Sequence, residues 1–159
     1  MQISFFKRAM MIVAIGAVTA GFLSSCDNDD DDIDNRTYTV SGNGSGTQMV
    51  PAVAGSGTTT FTGTYNPDSR VMTYSSIWNG LTGAPTSAGF YNGAAGTSGT
   101  AAGSSWTLGS GLSGTGSTTG TMTLTTDQAN QLTSGNWYYS YGTSANSSGE
   151  VRGQLTAVR

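Results

Sequence analysis

Between Thr58 and Trp78 the chain sets out a β-hairpin almost residue by residue, and no other segment limits the fold as much. Phe61 and Tyr65 alternate with Thr58, Thr60, Thr62 and Thr64, so a strand places the aromatics on one face and the threonines on the other. Asn66-Pro67-Asp68-Ser69 follows as a turn, with proline presetting φ at the second position. The return from Arg70 to Trp78 puts Met72, Tyr74 and Trp78 on one face and Val71 and Ile77 on the other. The 24 glycines, the abundant Thr and Ser and the scarcity of helix formers extend the same reading to the rest of the body.

Tyr38 and Val40 alternate with threonines as in an edge strand with one buried face. Further strands are expected at Ala88–Tyr91, Thr100–Leu108, Gly116–Thr125, Trp137–Thr143 and Glu150–Val158. A helix of one or two turns interrupts them. Thr125 and Gln128 have capping-box spacing, Asp127 falls in the first turn, and Gly135 provides the stop. Gly109–Gly120, almost all Gly, Ser and Thr, reads either as a loop or as an extended edge. The fold class expected is all-β, an antiparallel immunoglobulin-like sandwich or barrel of about eight strands with one short helix.

The chain divides into three parts. Lys7 and Arg8 precede an apolar run from Ala9 to Leu23, which has the length of a signal-peptide core and is short for a membrane span. Leu23-Ser24-Ser25-Cys26 then resembles a lipobox, and Cys26 is the one cysteine of the chain. Residues 1–25 are therefore expected to be a lipoprotein signal peptide. Cys26 is expected to be the lipidation site, carrying palmitate-type acyl chains that hold the protein to a membrane. With no second cysteine, a disulfide within one chain is excluded.

Residues 26–35 hold six aspartates and no base, a self-repelling stretch expected to serve as a disordered tether. The spacing of Asp27, Asp29 and Asp31 imitates the start of a calcium loop, but Asp32 stands where that loop needs glycine and no glutamate closes it. Acidic residues after a lipidated cysteine also resemble surface-export signals of some Gram-negative lipoproteins. The expected location is the cell envelope, as an outer-membrane lipoprotein facing the periplasm or the exterior.

Residues 36–159 form the third part, and their charge is nearly balanced. Arg36, Arg70, Arg152 and Arg159 stand against Asp68, Asp127 and Glu150. A body without a basic stripe has no means of tracking phosphates, which excludes nucleic acid as an expected partner. Histidine is absent from the whole chain. That removes the usual general base near neutral pH and the usual nitrogen ligand of copper or catalytic zinc, so no cofactor or metal is expected. Three carboxylates assigned to a turn, a helix start and the last strand offer no evident acid–base pair.

The ending Gly149-Glu150-Val151-Arg152-Gly153-Gln154-Leu155 resembles the closing signature of the CHRD domain, a module named after chordin. Met49-Val50-Pro51, Gly80-Leu81 and Leu132-Thr133-Ser134-Gly135-Asn136-Trp137-Tyr138 agree with it in order, so the resemblance runs from about Tyr38 to Leu155. It implies an immunoglobulin-like β-barrel with limited similarity to copper–zinc superoxide dismutases. Bacterial members often carry histidines in two strands. The corresponding positions here hold Gly89, Tyr91 and Gly142, so the metal chemistry of that fold similarity is not carried over.

Two groups remain as candidate binding residues. Trp137, Tyr139 and Tyr141 share one face of a strand, where exposed rings would suit a sugar or a protein groove and buried rings would be core. Glu150, Arg152 and Gln154 share one face of the last strand, either as a polar contact surface or as a structural network. The functional expectation is a lipid-anchored envelope protein in a binding or structural role, with adhesion or matrix contact through a glycan or protein ligand. An envelope enzyme using carboxylates or a metal is the alternative.

Overall fold

A computed structural model describes residues 36–159; the expected signal peptide, Cys26 and the acidic tether lie outside the described residues. The hairpin read from the sequence is there. Strands β2 (Thr58–Asn66) and β3 (Val71–Asn79) pair antiparallel from Tyr65 opposite Met72 to Thr58 opposite Asn79. Asn66 Oδ1 accepts from the backbone N–H of Asp68 and Ser69 at 2.9 and 3.0 Å, an Asx turn that fixes the reversal. Arg70 completes it in the left-handed region at φ 57°.

The remaining strands are β1 (Tyr38–Ser45), β4 (Pro85–Asn92), β5 (Thr100–Ala101), β6 (Gly116–Thr123), β7 (Trp137–Thr143), β8 (Val151–Gln154) and β9 (Thr156–Val158). All pairings are antiparallel, in the order β5-β4-β7-β8-β1-β2-β3-β6, with β9 also on β1. Phe90 of β4 and Tyr74 of β3 sit near opposite ends of that order, yet their rings meet at 5.1 Å. The sheet therefore curls over on itself into a half-barrel, and the core is the space it encloses. Helix α1 (Thr126–Thr133) has the full capping box, Thr125 N–H donating to Gln128 Oε1 and Gln128 N–H to Thr125 Oγ1. Gly135 at φ 73° ends it, and Leu132 is buried in the core.

Three local expectations need correction, and one open alternative is resolved. β1 is not an edge, because β2 covers one side and β8 and β9 the other. The expected strand Thr100–Leu108 is regular only at Thr100–Ala101. Beyond that, Ala102 N–H still donates to the Phe90 carbonyl and Trp106 N–H to the Ala88 carbonyl, so Gly103-Ser104-Ser105 bulges out between two anchored points. Glu150–Val158 is interrupted at Leu155, although β8 and β9 follow β1 as successive partners, Gly153 opposite Gly44 and Val158 opposite Thr39. Gly109–Gly120 is loop in its first part and edge strand from Gly116.

A core short of Leu and Ile is filled with rings, and glycines make room for them. Three large aromatics lay their rings over the glycine opposite them across a strand pair: Trp78 over Gly116, Tyr74 over Gly120 and Tyr139 over Gly153. A methyl group added at these glycines would lie 2.4 to 2.5 Å from the facing side chain. Each ring thus lies flat across its neighbouring strand. Tyr139 reaches furthest. From β7 its ring covers Gly153 of β8, its O–H donates to the Gly42 carbonyl of β1 at 3.1 Å, and its oxygen pairs with Thr59 Oγ1 of β2 at 2.8 Å. Burial pushes its phenol up to about 12, so the hydroxyl remains a donor throughout the ordinary pH range.

Gly153→Ala is expected to destabilise the domain by about 1–3 kcal/mol, the usual cost of forcing a group into a packed core. Gly109→Ala, where an added methyl group meets nothing within 4 Å, is expected to change stability by less than about 0.5 kcal/mol. Urea unfolding of the two variants side by side checks the contrast.

Candidate functional site

The expected row of contact aromatics is core. Trp137, Tyr139 and Tyr141 are each fully buried on the inner face of β7, so they are not available as a binding surface. The physical reason is position, since β7 lies between β4 and β8 and its inward residues face the interior of the half-barrel. Its other face is covered too. Tyr138 stacks on Tyr91 of β4 at 5.2 Å with planes 12° apart, and its hydroxyl accepts from Gly99 N–H.

Glu150, Arg152 and Gln154 do not share a face as expected. Glu150 N–H donates to the Tyr141 carbonyl, while Val151 is also paired with Tyr141. Two consecutive residues set against one break the alternation, and Glu150 turns to the end of the barrel while Arg152 and Gln154 stay on the outer face. The Glu150 carboxylate accepts from Thr82 N–H at 2.8 Å, from the hydroxyls of Thr82 and Thr143 at 2.6 Å each, and from Asn146 Nδ2 at 3.4 Å. Burial disfavours its charged form, but these donors outweigh burial and hold the carboxyl below its ordinary value. It is a hub joining the loop after β3, the end of β7 and the loop before β8.

Arg152 clamps the opposite surface. Only 2% exposed, it donates to the carbonyls of Thr97 and Ala94 and to Gln154 Oε1, and its guanidinium lies 3.5 Å over the Tyr138 ring. Gln154 in turn donates to the carbonyls of Gly93 and Gly135. Loss of hydration disfavours the guanidinium charge, and its acceptors here are neutral oxygens. The two side chains pin the 93–99 loop to the sheet, which is the structural-network alternative for this motif.

The positions where the resemblance would put histidines also lie on this face. Tyr91 is paired with Tyr138, Gly89 with Ser140, and Gly142 with Ser87. Among the described residues no three of His, Cys, Asp and Glu come together. The other carboxylates stand apart from Glu150. Asp68 pairs at the surface with Arg36 at 3.5 Å, and Asp127 borders a shallow recess with Arg70 and four residues of the β6–α1 junction.

A recess with an aromatic floor lies elsewhere, between the free edge of β6 and the bulged 103–107 segment. It measures about 520 Å³, with Tyr74, Phe90 and Trp106 as its aromatic floor and Ser, Thr and Gln128 around them. None of its lining side chains is charged. Composition pointed to the aromatics but not to this place. The signal that could have found it is the isolation of Trp106 inside a Gly/Ser/Ala stretch, where a large ring has no local reason to be.

Glu150→Gln is expected to lower stability at pH 7 by about 1–3 kcal/mol, because an amide cannot accept from every donor now satisfied. A carboxyl held below its ordinary value of 4.5 contributes stability above that value and loses it as pH falls through the folded value. The gap between wild type and variant is therefore expected to close as pH is lowered below 4.5, read from thermal unfolding across a pH series. Arg152→Lys, which keeps the charge but not the planar fork, is expected to cost about 2–3 kcal/mol and to speed hydrogen exchange at Gly99.

No curated protein and no solved structure matches this chain. The model of the CHRD domain family matches residues 40–155, well over half of it. The match runs from within β1 through the end of β8 and closes on the Glu150 hub and the Arg152 clamp. The chain belongs to the CHRD domain family.

Proposed function

We propose that this protein is a lipid-anchored component of the cell envelope, held in the outer membrane through Cys26, whose β domain serves binding or structure without catalysis. The anchor reading rests on the sequence Leu23-Ser24-Ser25-Cys26 after a short apolar run. In the described residues, no helix is long and apolar enough to cross a membrane. The observation that supports a non-catalytic role is the disposition of the charged groups. Glu150 and Arg152 are consumed in holding loops, Asp68 pairs with Arg36, and Asp127 lies in the first turn of α1 without a second carboxylate beside it. What faces outward around the β6 recess is neutral, as suits uncharged contacts with a matrix or a neighbouring surface.

Cys26→Ala is expected to abolish incorporation of an alkyne-tagged palmitate and to release the protein from the membrane fraction. Persistence of both would overturn the anchor. Protease shaving of intact cells separates the two orientations: digestion before lysis supports adhesion or matrix contact, and protection until lysis replaces it with a periplasmic partner.

A further inference from the structure

The half-barrel has one seam that backbone pairing does not close. β6 pairs on one side with β3 alone, and the segment facing it, residues 102–106, is bonded to β4. Gly103 and Met122 approach each other at one point of this seam, since a methyl group on Gly103 would lie 2.7 Å from Met122 Cε. The groove described above occupies the seam. Its floor rings are packed together, Trp106 at 4.9 Å from Tyr74 and 4.8 Å from Phe90. Trp106 is 9% exposed, and its indole N–H is enclosed beneath the surface, so the groove meets the ring and not the N–H.

These features together limit the occupant. With no charged lining residue, the groove has no means of holding a phosphate or a carboxylate. Hydroxyls of Ser104, Ser105 and Thr107 and the amide of Gln128 each donate and accept, which matches groups that do both. Rings under a hydroxyl-rich wall match a ligand with an apolar C–H face and a polar rim. We infer that the seam between β6 and residues 103–107 is a binding site for a neutral glycan, a sugar ring lying over the aromatic floor and its hydroxyls meeting the Ser/Thr/Gln wall. This deepens the binding reading proposed above and rests on it. An extended peptide adding to the β6 edge is the competing occupant. It would be held by the strand's backbone and would leave the hydroxyl wall unused.

The test is titration of the purified full-length lipidated protein, in a non-glycosidic detergent, with cellohexaose, laminarihexaose, chitohexaose and the charged hexagalacturonate. Calorimetry and tryptophan fluorescence read the binding. At least one neutral hexasaccharide is expected to bind with Kd below about 1 mM and to exceed hexagalacturonate. Ser105→Trp, a bulky change at an exposed rim position, is expected to weaken it at least about tenfold with an unchanged thermal midpoint.

The inference is overturned if no neutral saccharide binds, if the charged one binds better, or if Ser105→Trp binds as wild type does. Binding of an extended Thr/Val peptide without any saccharide would assign the seam to strand addition instead. Because the titration uses purified protein, its failure leaves the Cys26 attachment standing, and failure of palmitate labelling leaves the groove standing.

Discussion

Tyr139 ties four consecutive strands of the sheet together, and the shape of the domain depends on that one side chain. Its backbone belongs to β7, its ring lies over Gly153 in β8, and its hydroxyl is shared between Gly42 of β1 and Thr59 of β2. A ring can lie down across a sheet only where the next strand has no side chain. Gly153 therefore follows from Tyr139, as Gly116 follows from Trp78 and Gly120 from Tyr74. The result is an interior thin enough to be filled by one layer of aromatics, with Phe61 in contact with Tyr74, Phe90, Trp106 and Tyr139. The high glycine content is thus the counterpart of the ring-filled core, not a sign of a loose chain.

The family signature at the end of the chain has a structural explanation at nearly every position. Val151, Gly153 and Leu155 face inward, Arg152 and Gln154 hold the outer loop, and Glu150 gathers three segments at the end of the barrel. A motif of this kind reports the fold. It leaves the ligand to be argued from the seam, where the signature contributes nothing.

The hairpin, the helix cap and the stop at Gly135 were legible because each rests on local physics: alternation, proline geometry and a capping box within a few residues. The class of the fold and the extent of the family resemblance were legible as well. Which way the residues around Glu150 point was not, because one extra residue opposite Tyr141 inverts the alternation and depends on a partner strand. Nor could the row Trp137, Tyr139 and Tyr141 be assigned to core or surface, since both faces of β7 are covered by segments distant in sequence. The groove was hidden for a related reason. Its two walls are nearest neighbours only after the sheet has curled.

The free edge of β6 carries a further consequence for how many copies of this domain can crowd together. An unpaired strand with no lysine, proline or charge is ordinarily an invitation to pair with its own kind. Gly116 and Gly120, present for the rings of Trp78 and Tyr74, also deprive that edge of side chains to interlock with a second copy. The residues that shape the interior thereby also weaken the outer edge as a template for a second copy.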